Sequence, residues 1–193
     1  MAELNGKRIG CAMTGSFCTF TKAFEAWRTL AATGAELTPI MSENAYSLDT
    51  RFYEAEKAQS IFRDICGREI IHSIAQAEPI GPKKLLDLLI IAPCTGNTLA
   101  KLANGIADSS VTLAVKSHVR NERPVLIAIS SNDALGRNAA NIGALMAMKY
   151  FFFVPFTQDD SSGKPASIVA EFEKLREAAE AALDGRQIQP LLI

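Results

Sequence analysis

LDLLIIAPCTGNT, residues 86–98, decides the fold class of this chain. From Leu88 to Ala92 its apolar run is unbroken. A strand without polar alternation is covered on both faces, as in a parallel sheet between two helical layers. Pro93 stops the strand, PCTGNT forms a loop, and LAKLANGIA leaves it with helical spacing. Upstream, the first strand is Arg8–Met13, followed by a TGS turn. The next helix carries Phe20, Ala23, Phe24, Trp27, Leu30 and Ala31 on one face and stops at Gly34. ELTPIMS (36–42) reads as the second strand, with Ser42 at its C-terminal edge. DTRFYEAEKAQSIFRDICG (49–67) reads as a helix with Phe52, Ala55, Phe62 and Ile65 as apolar positions, REIIHSI (68–74) as a short strand, and AEPIGPKK (77–84) as loop.

Downstream, SSVTLAVKSHVRN (109–121) is helical, PVLIAIS (124–130) is a second buried strand, NAANIGALMAMK (138–149) is helical and YFFFVPF (150–156) is the last strand. QDDSSGKP (158–165) is polar and turn-rich. An amphipathic final helix takes in Ile168, Val169, Phe172, Leu175, Ala179, Ala182 and Leu183, ending at Gly185. With no linker or repeat, the expected fold is one Rossmann-like, doubly wound α/β domain over 1–193, its mainly parallel sheet flanked by helices.

Composition narrows the function. At 193 residues, with 48% hydrophobic and 21% charged residues, the chain can bury a core without metal or disulfide support. A net charge of -1, a pI near 6.1 and scattered lysines and arginines exclude nucleic acid as the main partner. Cys11, Cys18, Cys66 and Cys94 form no CxxC pair, and His72 and His118 lie far apart, so no metal site is expected. MAELNGKRIG lacks the apolar core of a signal peptide. LLDLLIIAP and FFFVPF fall short of the about 20 apolar residues that span a bilayer. A cytoplasmic protein with reduced thiols is the expectation.

IGCAMTGS (9–16) invites comparison with phosphate-binding turns. Gly10 and Gly15 have P-loop spacing, but Ser16 and Phe17 replace the Lys and Ser/Thr that must follow. Against GxGxxG, Ala12 stands at the second glycine. What remains is a strand, a turn bearing Thr14 and Ser16, and a helix start. That place suits one phosphate through free amides and hydroxyls, or is simply a capped glycine turn. Both readings stay open. At the second loop, Thr95, Asn97 and Thr98 offer polar contacts and Gly96 lets backbone approach a planar ring; Asn97 equally reads as a helix cap.

PCTGNTLAKLANGIAD, together with the TGS turn, resembles the homo-oligomeric flavin-containing cysteine decarboxylases along nearly the whole chain. The resemblance implies a Rossmann-like fold, flavin mononucleotide (FMN) bound between subunits, and assembly from trimers. The phosphate would lie against Gly15 and Ser16 with Thr14 close by. Ser42 would lie near the ribityl phosphate, and Thr95, Asn97 and Thr98, with backbone around Cys94, would face the ring system. KRIGCAMTGSFCT, DTRF, AEPIGPKKLLDLLIIAP, SSNDALGRNAAN, VPFTQDD and QPLLI resemble one branch of that family. That branch implies work with a second, nucleotide-binding subunit carrying NAD(P), converting dihydrodipicolinate to dipicolinate in spore-forming bacteria.

The chain departs from the decarboxylases after the later central strand. SSND (130–133) keeps their asparagine as Asn132 but lacks their proline and methionine, and His72 lies too far from Pro93 for their histidine's role. Asn132, Asp133, Arg137 and Arg51 are the candidates for a small dicarboxylate, arginine's planar fork matching a carboxylate. No proton-transfer residue is assigned. Cys94 reads either as a thiol activated at a helix start or as a small tolerated loop residue. Cys11, Cys18 and Cys66 read as inert packing, and His118 as a surface residue. QDDSSGKP is either a lid or a plain loop, and the apolar tail QIQPLLI predicts self-association. A decarboxylase, and a flavin-free subunit completing its partner's site, are the competing functions.

Overall fold

Along β3 (Leu88–Cys94), Leu88, Ile90 and Ala92 enter one hydrophobic core while Leu89, Ile91 and Cys94 enter another. β4 (Val125–Ser131) repeats the division, with Leu126 and Ala128 on one side and Val125, Ile127 and Ile129 on the other. This alternation is why both runs are apolar throughout: each face of the strand meets helices. The computed structural model describes residues 3–193.

The parallel part of the sheet has the order β2-β1-β3-β4-β5, with β1 at Arg8–Met13, β2 at Glu36–Met41 and β5 at Phe151–Phe153. On one face lie α1 (Phe20–Ala31), α3 (Ala55–Cys66) and α8 (Leu175–Leu183), which bury Phe20, Phe24, Trp27, Phe62, Leu175 and Ala179. The other face is covered by α4 (Ile74–Ala77), α5 (Gly96–Ala103), α6 (Ser110–Val119) and α7 (Asn138–Met146). α2 (Glu43–Ser47) follows β2, with Ser42 as its cap. Helices on both faces bear out the doubly wound expectation. Chain order reverses direction across the sheet between β1 and β3, so a crevice opens at their C-terminal ends.

Two strands depart from the sequence reading. β6 (Phe156–Asp160) and β7 (Lys164–Ala170) form an antiparallel hairpin, and β7 pairs with Ser130 and Ser131 at the far end of β4. Ile168 and Val169 therefore belong to a strand, and the last helix begins only at Leu175. YFFFVPF divides at Val154 and Pro155 between β5 and β6. The helix expected from Asp49 starts at Ala55, which leaves Phe52 on an exposed turn, and REIIHSI contributes only a single bridge, Ile40 to Ile71. The tail folds back on its own domain: the Phe156 amide donates to the Leu191 carbonyl (3.0 Å) and Ile188 is buried. Gln189, Pro190, Leu192 and Ile193 stay exposed.

Candidate functional site

Thr14 stitches the two loops of the crevice together. Its amide and hydroxyl both donate to the Pro93 carbonyl (3.1 and 2.9 Å), and the Thr95 amide donates back to its hydroxyl (2.9 Å). Thr14 is buried, so these bonds also satisfy groups that would be costly to leave unpaired. Thr95 in turn accepts from the Thr98 amide (3.2 Å) and caps α5. The cap is thus Thr95, which frees the exposed Asn97.

Across the turn, Ser16 Oγ lies 2.7 Å from Ser130 Oγ, which lies 3.2 Å from Thr19 Oγ1. Thr19 donates to the Ser16 carbonyl (2.9 Å). Three hydroxyls thereby join the start of α1 to the end of β4. Among the described residues, the Gly15, Phe17 and Cys18 amides find no acceptor in the chain. They stand at the beginning of a helical segment, where partial positive charge favours an anion.

The loop after β4 is fastened to the loop after β3 through Gly96. A Cβ there would meet Asn138 Nδ2 at 2.5 Å, Ser131 Oγ at 2.6 Å and Asp133 Oδ1 at 2.7 Å. Those three groups bond one another: Ser131 and Asn138 donate to the two Asp133 oxygens at 2.6 and 2.8 Å. The missing methyl therefore makes room for a polar cluster that aims Asn132 and Asp133 into the crevice.

Around these loops is a cavity of about 1120 Å³, lined by Gly15, Ser16, Thr95, Gly96, Asn97 and the segment 130–133, and also by Lys22, Arg51 and Phe52. The hairpin supplies Asp159 and residues 164–169. Part of QDDSSGKP thus forms a wall of the cavity. Of the candidates, Gly15, Ser16, Thr95, Asn97, Asn132, Asp133 and Arg51 come together there. Thr14 and Thr98 are buried just behind. Ser42 caps α2 and lies outside the lining, as does the exposed Arg137 at the start of α7.

Cys94 packs in the second core, and burial pushes its thiol far up, so it is no activated nucleophile. Cys18 is exposed instead of packed. His118 is a correction as well: it is buried, with its ring Nε2 3.0 Å from the Pro124 carbonyl. His72 stacks on Tyr46, ring centroids 3.9 Å apart, away from the cavity lining.

The sequence reading missed Thr19, Ser130, Ser131, Asn138, Lys22 and the hairpin. Ser130 and Ser131 end a buried strand on the same side of the sheet as TGS, and that position was the available signal for them. Lys164, one of the lining cations, pairs with Asp159 (2.9 Å). Among the described residues, Lys22 and Arg51 have no carboxylate partner.

Sheet order, the crevice between β1 and β3, and the hydroxyl-lined turn are those of a mononucleotide-binding α/β protein. The chain belongs to the flavoprotein family, whose model matches residues 1–178. Over 193 residues, 100% of this chain and 96% of the relative, it is 47% identical to the B subunit of dipicolinate synthase from Bacillus subtilis (strain 168). A crystal structure of the dipicolinate synthase B subunit from Bacillus halodurans superposes with a TM-score of 0.91 at 43% identity, covering 100% of this chain and 98% of that one. The coenzyme A biosynthesis bifunctional protein CoaBC of Thermococcus kodakarensis is 27% identical over 96% of this chain, which spans 46% of that protein. The FMN-dependent cysteine decarboxylase SpaF shares the fold, with a TM-score of 0.71 at 22% identity over 94% of this chain and 99% of its own.

Proposed function

We propose that this chain is the B subunit of a dipicolinate synthase, forming dipicolinate from dihydrodipicolinate with the synthase's A subunit, which carries NAD(P). The setting is the cytoplasm of the mother cell of a sporulating bacterium, and the chain is a homo-oligomer built from trimers. The similarity to the dipicolinate synthase B subunits of Bacillus supports dipicolinate as the product. The observation that carries the reading is the cavity, where an amide- and hydroxyl-rich turn shares the lining with Lys22 and Arg51, which have no carboxylate partner among the described residues.

The residues present fit FMN. The free Gly15, Phe17 and Cys18 amides and the Ser16 hydroxyl would hold its phosphate, with Thr14 buttressing the turn. Thr95 and Asn97, on the loop where Gly96 keeps the backbone thin, would flank the ring system. Bound flavin supplies a two-electron acceptor, and the protein contributes position and electrostatics. Oxidation of a dihydropyridine dicarboxylate removes one hydride and one proton and leaves an aromatic ring, so orientation is the main demand. Asn132 offers the substrate an amide, and Arg51 a guanidinium. Asp133, held by Ser131 and Asn138, presents a fixed carboxylate where a proton must leave.

The test combines the purified chain, the A subunit, FMN and NAD(P), and follows dipicolinate by its ultraviolet absorbance. Product is expected from the pair and not from either protein by itself. No product from the pair, with the chain's flavin spectrum intact, would overturn the assignment. Asn132 and the similarity to the phosphopantothenoylcysteine decarboxylase of Mus musculus, 24% identical over 76% of this chain, favour a second reading, decarboxylation. Release of carbon dioxide from a cysteinyl peptide would establish it instead.

A further inference from the structure

The turn before α3 is built for presentation. Thr50 Oγ1 accepts from the Phe52 and Tyr53 amides (both 3.2 Å), and the Thr50 amide donates to the Tyr53 carbonyl (2.9 Å). The Ala55 amide closes onto Asp49 Oδ1 (2.8 Å). Tyr53 anchors this turn to α1. Its hydroxyl lies 2.9 Å from Thr21 Oγ1, and its ring packs on Phe20 and Phe24 at 5.9 and 5.7 Å. With Tyr53 tied inward, Arg51 and Phe52 stand outward, both exposed and both on the cavity wall. The Arg51 guanidinium lies 4.8 Å from the centroid of the Phe52 ring. Lys22, next in sequence to the Thr21 that holds Tyr53, lines the same cavity.

An exposed aromatic ring, a guanidinium fork and a second cation bordering one cavity describe a receptor for a flat anionic ring. Lys164, which also lines the cavity, is already neutralised by Asp159, so among the described residues the lining cations without a carboxylate partner are Arg51 and Lys22. The phosphate-holding amides are a separate set, on the backbone of the TGS turn. We infer that Arg51, Phe52 and Lys22 form the subsite that takes one carboxylate and the ring face of a planar aromatic dicarboxylate. The inference rests on the proposed function for the choice of dicarboxylate, and it adds Phe52 and Lys22 to the residues that select it.

Arg51→Gln, Lys22→Gln and Phe52→Ala change exposed side chains, so the fold survives. Isothermal titration of the FMN-loaded chain with pyridine-2,6-dicarboxylate, pyridine-2-carboxylate and glutarate separates the contributions. Wild type should prefer the aromatic dicarboxylate to either analogue. Arg51→Gln should weaken the dicarboxylate by about tenfold or more, the scale of a charge-assisted hydrogen bond. Lys22→Gln should weaken it less, and Phe52→Ala should erase the preference over glutarate. FMN affinity should stay unchanged in all three. A loss of FMN affinity with dicarboxylate binding intact would assign the cations to the phosphate and overturn the inference. So would unchanged KM in the variants when paired with the A subunit. If the pair makes no dipicolinate yet the titrations follow the expected pattern, the reaction assignment falls and this subsite stands.

Discussion

Gly96 is where a single hydrogen atom in place of a methyl group decides the shape of the crevice. Alanine would drive a Cβ to within 2.7 Å or less of Asn138, Ser131 and Asp133, all polar atoms already bonded to one another. Gly96→Ala should cost about 1–3 kcal/mol by overpacking and abolish flavin binding, read from urea unfolding and from the visible spectrum of reconstituted protein. Full stability with normal flavin binding would remove Gly96 from the site. A second residue makes the stability of the fold depend on acid. Burial lowers the His118 pKa from 6.5 to about 4. The unfolded chain therefore binds a proton that the native chain resists. Stability from this residue is complete above pH 6.5 and is lost as pH falls toward 4. Between pH 6.5 and 5 the loss should reach about 2 kcal/mol, measured by denaturant titration at each pH. His118→Phe should flatten that slope. Spacing could have placed His118: it continues Val111, Ala114 and Val115 along the buried face of α6, and its polar ring hid the pattern.

At the scale of elements, continuous apolar runs made β3 and β4 legible, and the TGS turn followed from the end of β1. The end of β3 was read two residues early, since Pro93 and Cys94 still belong to the strand. The hairpin was not legible. Ile168, Val169, Phe172 and Leu175 recur at helical spacing, which masked the β-branched pair and the SSG turn that build β6 and β7. Phe52 misled in the same way, since its distance from Ala55 and Phe62 suits a helix that the Thr50 hydroxyl forbids. The C-terminal segment acts as edge protection. Gln187 exchanges side-chain bonds with the Phe153 amide (2.8 Å) and carbonyl (2.7 Å), standing in for a neighbouring strand beside β5. Residues 191–193 do the same beside Phe156. Deleting residues 190–193 should thus lower stability by about 1–2 kcal/mol in a thermal or urea melt. An unchanged melt would mean the tail bonds are not made in solution.

The whole molecule divides its labour between the two ends of the parallel strands. Their C-terminal ends hold the crevice, with its free amides and with Lys22 and Arg51, which have no carboxylate partner among the described residues. Their N-terminal ends are tied by charge. Asp87, just before β3, takes Arg8 at 2.6 Å and Arg123 at 3.2 Å, and Arg123 also donates to the Leu86 carbonyl. Three neighbouring strands, β1, β3 and β4, are thus gathered at one carboxylate. The hydrogen bonds from Arg8 hold that carboxylate below its usual range. Its contribution to stability is present above the ordinary aspartate pKa and disappears as pH falls through the lowered value. Such separation of stability from function predicts that the two can be altered independently. Asp87→Asn should reduce unfolding free energy by roughly 1 kcal/mol, since the pair is partly open to solvent, and should leave flavin and dicarboxylate binding unchanged. Titrating the variant with FMN and pyridine-2,6-dicarboxylate, beside its urea melt, tests both halves. A variant that loses binding while keeping its melt would show that the charge cluster reaches the crevice through β1 and β3, and the division would not hold.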